Sequence, residues 1–397
     1  MNIAIINPIF RTANLGRSLF LKGISPVPTQ EVSEINIVEL ARELTNLGNN
    51  VTVYVADAFV EFDELHLSDR LTIRSVPAML QRIFLPAIFP FTPGLAFSSK
   101  LREADVIQSG DFYQFSTFSA SNLAAREQIP FFVWQEAFHY MRPPAKPFQQ
   151  LFNLTAGRSI RATTYKFILR TKKAKNFLNE IGVKPSAIGP WIPTGIDGES
   201  FQPRPGALNP EDFGFPDDFA LVLLVARLTP SKGVDLAIRA EAILRKKGIK
   251  VGLLVRGSGP ELNNLKALAK ELKIDGYVRF LGSQSRLEMA DLYNSSDVFL
   301  LASRMDLFPF ALLEAAGCGL PSVATRVGCV EDFVQDSVNG LLASPNSEDL
   351  AKGIEKLLCD NDLRERLGKE ARRCFVKDID MRVVAHHLEE LYKMFSE

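Results

Sequence analysis

Short apolar runs alternate with amphipathic stretches along most of this chain. Residues 2–7 carry Ile3-Ala4-Ile5-Ile6 without interruption and read as a buried strand. From Val32 to Leu47 the apolar residues Ile37, Ala41, Leu44 and Leu47 recur at helical spacing, with Gly48 as the stop signal. A strand is predicted at 51–56, another at 105–108, a helix near 115–126 and a strand at 131–134. Strand–helix–strand alternation implies a parallel sheet with helices on both faces.

The rhythm pauses at 185–218, where Pro185, Pro190, Pro193, Pro203, Pro205, Pro210 and Pro216 read as a linker. It then resumes, with strands at 219–225, 251–255, 278–281, 298–301 and 322–324. Helices are predicted at 234–247 and 260–272, and a last one at 381–395. The pattern predicts an α/β protein of two doubly wound, Rossmann-like domains facing each other across a cleft. We place the domains at 1–195 and 196–379, with the terminal helix, 380–397, packing back on the first.

Composition narrows the function. A chain of 397 residues is long for one domain, and 46% hydrophobic residues exclude disorder. Lys plus Arg and Asp plus Glu both number 46, and zero net charge argues against a dedicated nucleic-acid binder. Cys318, Cys329, Cys359 and Cys374 form no CxxC pair, and the four histidines show no HExxH spacing. A zinc site or disulfide framework is therefore not expected, and a reducing cytoplasm is. The first apolar run is cut by Asn7-Pro8 with no basic residue before it, unlike a signal peptide. The most apolar stretch, 83–99, contains Pro86, Pro90 and Pro93 and is short for a bilayer span of about 20 residues.

Charge is distributed unevenly. Residues 1–195 hold 20 basic and 15 acidic side chains, a net of +5, so the remainder carries −5. Seven basic residues and no acid lie between Arg158 and Lys175: Arg158, Arg161, Lys166, Arg170, Lys172, Lys173 and Lys175. Two readings stand: a solvated helix face, or a patch for anionic lipid headgroups aided by the 83–99 segment.

Parallel sheets bind ligands beyond the carboxyl ends of their strands, so the loops there carry the candidate chemistry. The loop after 219–225 contains Arg227 and Lys232, a planar fork and a compact charge suited to phosphate. After 251–255 comes Arg256-Gly257-Ser258-Gly259-Pro260, whose glycines allow close backbone approach or simply make a tight turn. The loop after 298–301 places Asp306 just before a helix opened by Pro309, with Glu314 within it amid apolar neighbours. Backbone N–H groups near Phe310–Leu312 are expected to point out of that start and attract an anion. A carboxylate in such surroundings needs a partner or a ligand.

The strings ARLTPSKGVD, RGSGP and YVRFLG, then D-x7-E followed by AAGCGLPSVA, resemble the retaining glycosyltransferases of family 4, which have the GT-B fold. The resemblance is continuous over about 219–375 and fainter before it, through ELARELTNLGNNVTVYVA, ADVIQSGDF and PTGIDGESFQP. It implies a hexosyltransferase that moves a sugar from a UDP- or GDP-linked donor to a cytoplasmic acceptor, a lipid-linked or polysaccharide intermediate. Arg227 and Lys232 would hold the donor diphosphate, Glu314 the ribose and Asp306 the sugar. Backbone at Phe308, Pro309, Phe310 and Ala311 would face sugar and phosphate, with Gly257, Gly259 and Arg279 to Leu281 near the base. Arg227, Lys232 and Asp306 are the catalytic candidates.

The chain departs from the family in three places. Asp306 replaces the commoner glutamate, Gln30-Glu31-Val32 stands where a glycine pair is frequent, and Gln135 stands where many members have histidine. Gln135, Glu136 and His139 are the acceptor-side candidates. No DxD motif stands at a strand end, since Asp360-Asn361-Asp362 and Asp378-Ile379-Asp380 read as helix caps. No cofactor and no essential metal are expected. A sugar-nucleotide epimerase of the same fold and a non-catalytic binding subunit are the alternatives. The expected location is the cytoplasm, with peripheral attachment to the inner membrane face as the lipid reading of the basic run.

Overall fold

A computed structural model describes residues 1–9, 27–79, 90–140, 145–206, 208–282, 286–306 and 308–396. The chain divides into two compact units, 1–195 with 381–397, and 196–380.

The first unit is built on eight strands: β1 (Asn2–Ile6), β2 (Asn50–Ala56), β3 (Glu64–Ser68), β4 (Leu71–Val76), β5 (Val106–Ser109), β6 (Phe131–Gln135), β7 (Thr164–Leu169) and β8 (Ile188–Trp191). Their order is β3-β4-β2-β1-β5-β6-β7-β8, parallel except for β3. Alternate residues of β1 serve two cores, as period 2 requires: Ile3 and Ile5 on one face, Ala4 and Ile6 on the other. The first core also takes the helix Met381–Lys393, through Val384, Ala385, Leu388 and Tyr392. Buried Asn49 donates from Nδ2 to Glu389 at 2.9 Å, and the Tyr392 hydroxyl donates to Gln108 Oε1.

Residues 158–175, read above as one surface run, are divided by the fold. Arg158 and Arg161 lie on the helix Ala156–Thr163, Lys166 on β7, Arg170 just past it, and Lys175 on the helix Ala174–Glu180. Arg161 donates to Asn153 Oδ1, Lys166 to the Ser186 carbonyl at 2.7 Å, and Arg170 pairs with Glu136. The run is therefore spread over two helices and a strand and is not a single helix face. In the apolar 83–99 segment, residues 83–89 lie outside the described residues. Beyond them Leu95 is buried and Phe97 exposed beneath the Arg126 guanidinium.

The second unit has six parallel strands: β9 (Ala220–Val225), β10 (Val251–Arg256), β11 (Val278–Phe280), β12 (Val298–Leu301), β13 (Ser322–Thr325) and β14 (Leu341–Ala343). Their order is β11-β10-β9-β12-β13-β14, a doubly wound sheet whose direction of winding reverses between β9 and β12. β10 is buried along its whole length, the mark of a central parallel strand. Asp360 caps the helix Asn361–Asp378 by accepting from Leu363 N at 2.9 Å.

Candidate functional site

Open α/β sheets bind ligands beyond the carboxyl edge where the winding reverses, and here the loops leaving β9 and β12 carry Lys232 and Asp306. The loop after β9 holds Arg227, exposed, then a short 3-10 turn at Pro230–Lys232 and Gly233 at φ 64°. A Cβ on Gly233 would overlap the Ala302 carbonyl oxygen, so glycine is required where this loop crosses the β12 loop. Lys232 Nζ donates to Asp306 Oδ2 at 2.7 Å, and the buried Ser303 hydroxyl donates to the same oxygen at 3.2 Å. Arg304 grips Asp235 in two bonds of 2.7 and 2.6 Å and holds that carboxyl below its usual range. Arg304 and Met305 also donate backbone N–H to the Ser231 carbonyl at 2.8 and 3.2 Å. These bonds fix the two loops against each other and set Lys232 beside Asp306. The Arg227 carbonyl accepts from Thr229 N at 2.9 Å, and among the described residues its guanidinium has no hydrogen-bond or ion-pair partner.

The glycines of the β10 loop have a structural cause. Gly257 sits at φ 139°, where a Cβ would overlap the Ala226 carbonyl oxygen, and a Cβ on Gly259 would press on the Leu228 backbone. Leu228 N donates to Ser258 O at 2.9 Å, and Glu261 N returns a bond to Leu228 O at 3.1 Å. The two loops thus pack backbone to backbone. Leu281 N donates to Val255 O at 3.0 Å, while the Arg279 guanidinium lies over Phe215 and donates to the Phe213 carbonyl at 2.7 Å.

The helix after β12 begins at Phe310, with Pro309 as its cap and not its first residue. Phe310 N donates to Phe308 O at 3.1 Å and Leu312 N to Pro309 O at 3.0 Å. Those two N–H groups therefore bond within the turn instead of pointing outward. Phe308 is buried against Phe310 and Phe333, and Ala311 is partly buried. Leu307 lies outside the described residues. Glu314, partly exposed, accepts from the hydroxyl of fully buried Tyr293 at 2.7 Å. Cys318, one turn on, is pushed up to about 12 by burial and then by the Glu314 charge.

The acceptor-side candidates separate in the first unit. Gln135 ends β6 fully buried, its Oε1 accepting from Phe112 N at 2.9 Å and its Nε2 donating to Ala137 O at 3.0 Å. His139 is exposed, with Nδ1 at 2.8 Å from the Tyr140 carbonyl oxygen. Glu136 pairs with Arg170 at 2.8 Å, and that guanidinium also lies over Trp134 and donates to Thr194 Oγ1 at 2.9 Å. Asp111, which the sequence reading did not single out, joins this group. Its Oδ1 accepts from Glu136 N at 2.7 Å and Ala137 N at 3.1 Å. Burial and the Glu136 charge push Asp111 up to about 6, against the pull of those two N–H groups. Asp111, Glu136 and Arg170 follow three consecutive strands of the sheet, β5, β6 and β7. The signal available was an acid directly after a strand, in SGDF; Arg170 was hidden within the basic run. Of the residues near the supposed first loop, Glu31 and Val32 lie in a 3-10 turn over Thr29–Glu34, and nothing is described of the Gln30 side chain. Among the described residues no three His, Cys, Asp or Glu side chains gather as a metal's ligands would.

Two Rossmann-like units with this strand order define a GT-B protein, and the comparisons agree. Residues 207–374 match the family of glycosyl transferases group 1. A D-inositol 3-phosphate glycosyltransferase of Kribbella flavida is 27% identical over 93% of this chain and 92% of its own. One from Saccharomonospora viridis is 34% identical over 47% of this chain and 46% of its own, so that match spans about half of the relative's length. Among solved structures, Anabaena HepE in complex with UDP superposes with a TM-score of 0.74 at 17% identity, covering 99% of this chain and 100% of that one. Sucrose-phosphate synthase from Thermosynechococcus elongatus gives 0.73 at 19%, covering 99% and 98%. The chain has the GT-B fold, and its residues 207–374 are similar to the glycosyl transferases of group 1.

Proposed function

We propose that this protein transfers a hexosyl group, with retention of configuration, from a nucleoside-diphosphate sugar to a glycan or lipid-linked acceptor. The observation that carries the reading is the Lys232–Asp306 pair at the winding reversal, with exposed Arg227 on the same loop and Glu314 on the following helix. The bond from anomeric carbon to diphosphate oxygen breaks as the bond to the acceptor oxygen forms, and the acceptor hydroxyl's proton passes to the departing diphosphate. Negative charge then grows on the diphosphate, where Arg227 and Lys232 stabilise it. The Lys232 ammonium has three donors, so it can keep Asp306 while it meets phosphate. Asp306, so held, is the group we assign to the donor sugar, and Glu314 is assigned to the ribose. Donor hydrolysis measured on a panel of UDP-, GDP- and ADP-sugars tests this reading. Release of nucleoside diphosphate from one donor is expected. Interconversion of the sugar would indicate an epimerase, and binding without turnover a binding subunit. We propose no essential metal, so turnover should persist in EDTA; loss restored by magnesium or manganese would overturn that point.

Attachment to an anionic membrane surface is a second reading that one observation favours. On the helix Ala145–Leu154, Phe148, Leu151 and Leu154 stand at i, i+3 and i+6 and are 73%, 60% and 65% exposed. Exposed Lys146 and Arg158 flank this apolar row. An apolar row bordered by cations is the pattern of an interfacial helix. No helix among the described residues is long and apolar enough to cross a membrane.

A further inference from the structure

A glutamate on a partly exposed helix face has three side-chain torsions, and a ligand that needs its carboxylate in one place needs those torsions fixed. Glu314 is fixed by a phenol that belongs to the core. Tyr293 lies on the helix Arg286–Asn294 with no exposed surface, its ring 5.8 Å from Phe201 and 5.9 Å from Phe299. From there its hydroxyl donates to Glu314 Oε2 at 2.7 Å. Burial, reinforced by the Glu314 charge, pushes the phenol well above its ordinary range, so it remains a donor wherever the protein is folded near neutral pH. The geometry points to Tyr293 as a positioning residue that holds the Glu314 carboxylate for the ribose hydroxyls of the nucleotide donor. This rests on the reading of Glu314 as the ribose contact.

Two features separate this role from simple packing. The bond joins a rigid aromatic core to a carboxylate that itself reaches the surface. And a phenol used only for packing would serve as well without its hydroxyl. Tyr293→Phe keeps the ring against Phe201 and Phe299 and removes only the donor.

The test compares each nucleoside diphosphate that binds, from UDP, GDP and ADP, with its 2′,3′-dideoxy analogue by titration calorimetry. Wild type, Tyr293→Phe and Glu314→Gln are measured, with unfolding temperatures alongside. Wild type should prefer the ribose form by about tenfold or more, the worth of a hydrogen bond to a charged group. Tyr293→Phe should lose most of that preference while its affinity for the dideoxy analogue stays within about twofold of wild type. Undiminished preference in Tyr293→Phe would overturn the positioning role and leave the Glu314 reading standing. Absence of preference in wild type would instead overturn the ribose reading itself, and the inference with it. If Tyr293→Phe does not fold, fluorotyrosine at 293 fills the same volume with a stronger donor. It should keep or raise the ribose preference, and a loss there would contradict the proposal.

Discussion

Glu241 lies on the helix Val234–Lys246 with 2% of its surface exposed, and its Oε1 has no hydrogen-bond partner among the described residues. Burial pushes its carboxyl up to about 8, with Arg245 opposing only in part. An acid raised in the folded state contributes stability fully present below its unfolded value, near 4.5, and lost as pH rises through about 8. Wild type should therefore lose stability between about pH 5 and 8 relative to Glu241→Gln, by on the order of a few kcal/mol. Parallel pH profiles of the two unfolding temperatures would refute a buried, neutral Glu241. Glu314→Gln is expected to behave oppositely, reducing nucleotide affinity with little change in unfolding temperature, because the amide keeps the volume and loses the charge-assisted bonds. Unchanged nucleotide affinity would make Glu314 a structural helix residue.

Elements and their loops were legible to different degrees. Continuous apolar strands such as β10, and helices with regular spacing, announce themselves, because burial on both faces and the 3.6-residue period leave plain patterns. Strands β3, β4, β7, β8 and β14 do not: β3 alternates at a polar edge, and β7 carries Lys166 and is hidden within the basic run. The motif loops of the second unit were found as strings, whereas their mutual support was not. The Arg304–Asp235 grip and the packing of Gly257 and Gly259 on the β9 loop join residues distant in sequence. At this scale Gly233→Ala should destabilise the second unit by about 1–3 kcal/mol, since the new Cβ meets the Ala302 carbonyl at a positive φ. A smaller loss would mean that the loop shifts freely. For the helix Ala145–Leu154, Phe148→Ser with Leu151→Ser should abolish sedimentation with anionic vesicles at low salt. Wild-type protein that ignores lipid charge would leave that row without a membrane role.

The whole molecule returns its last helix to the first unit, and the bonds Asn49–Glu389 and Tyr392–Gln108 tie it into that core. Removing residues after Asp380 should unfold the first unit while the second, which retains its own sheet and cores, keeps its nucleotide affinity. Loss of that affinity would show that the second unit's site depends on the first. The doubly wound architecture follows from strand–helix alternation alone, but the acid–base group at Asp111, Glu136 and Arg170 arises only when three strands align. We propose that the loop after β9 holds a departing nucleoside diphosphate. It is tested most directly by donor turnover in wild type, Arg227→Ala and Lys232→Ala, with unfolding temperatures measured in parallel. Turnover should fall by about tenfold or more in each variant, with unfolding temperatures nearly unchanged. Wild-type turnover in both variants would show that this loop does not hold the diphosphate.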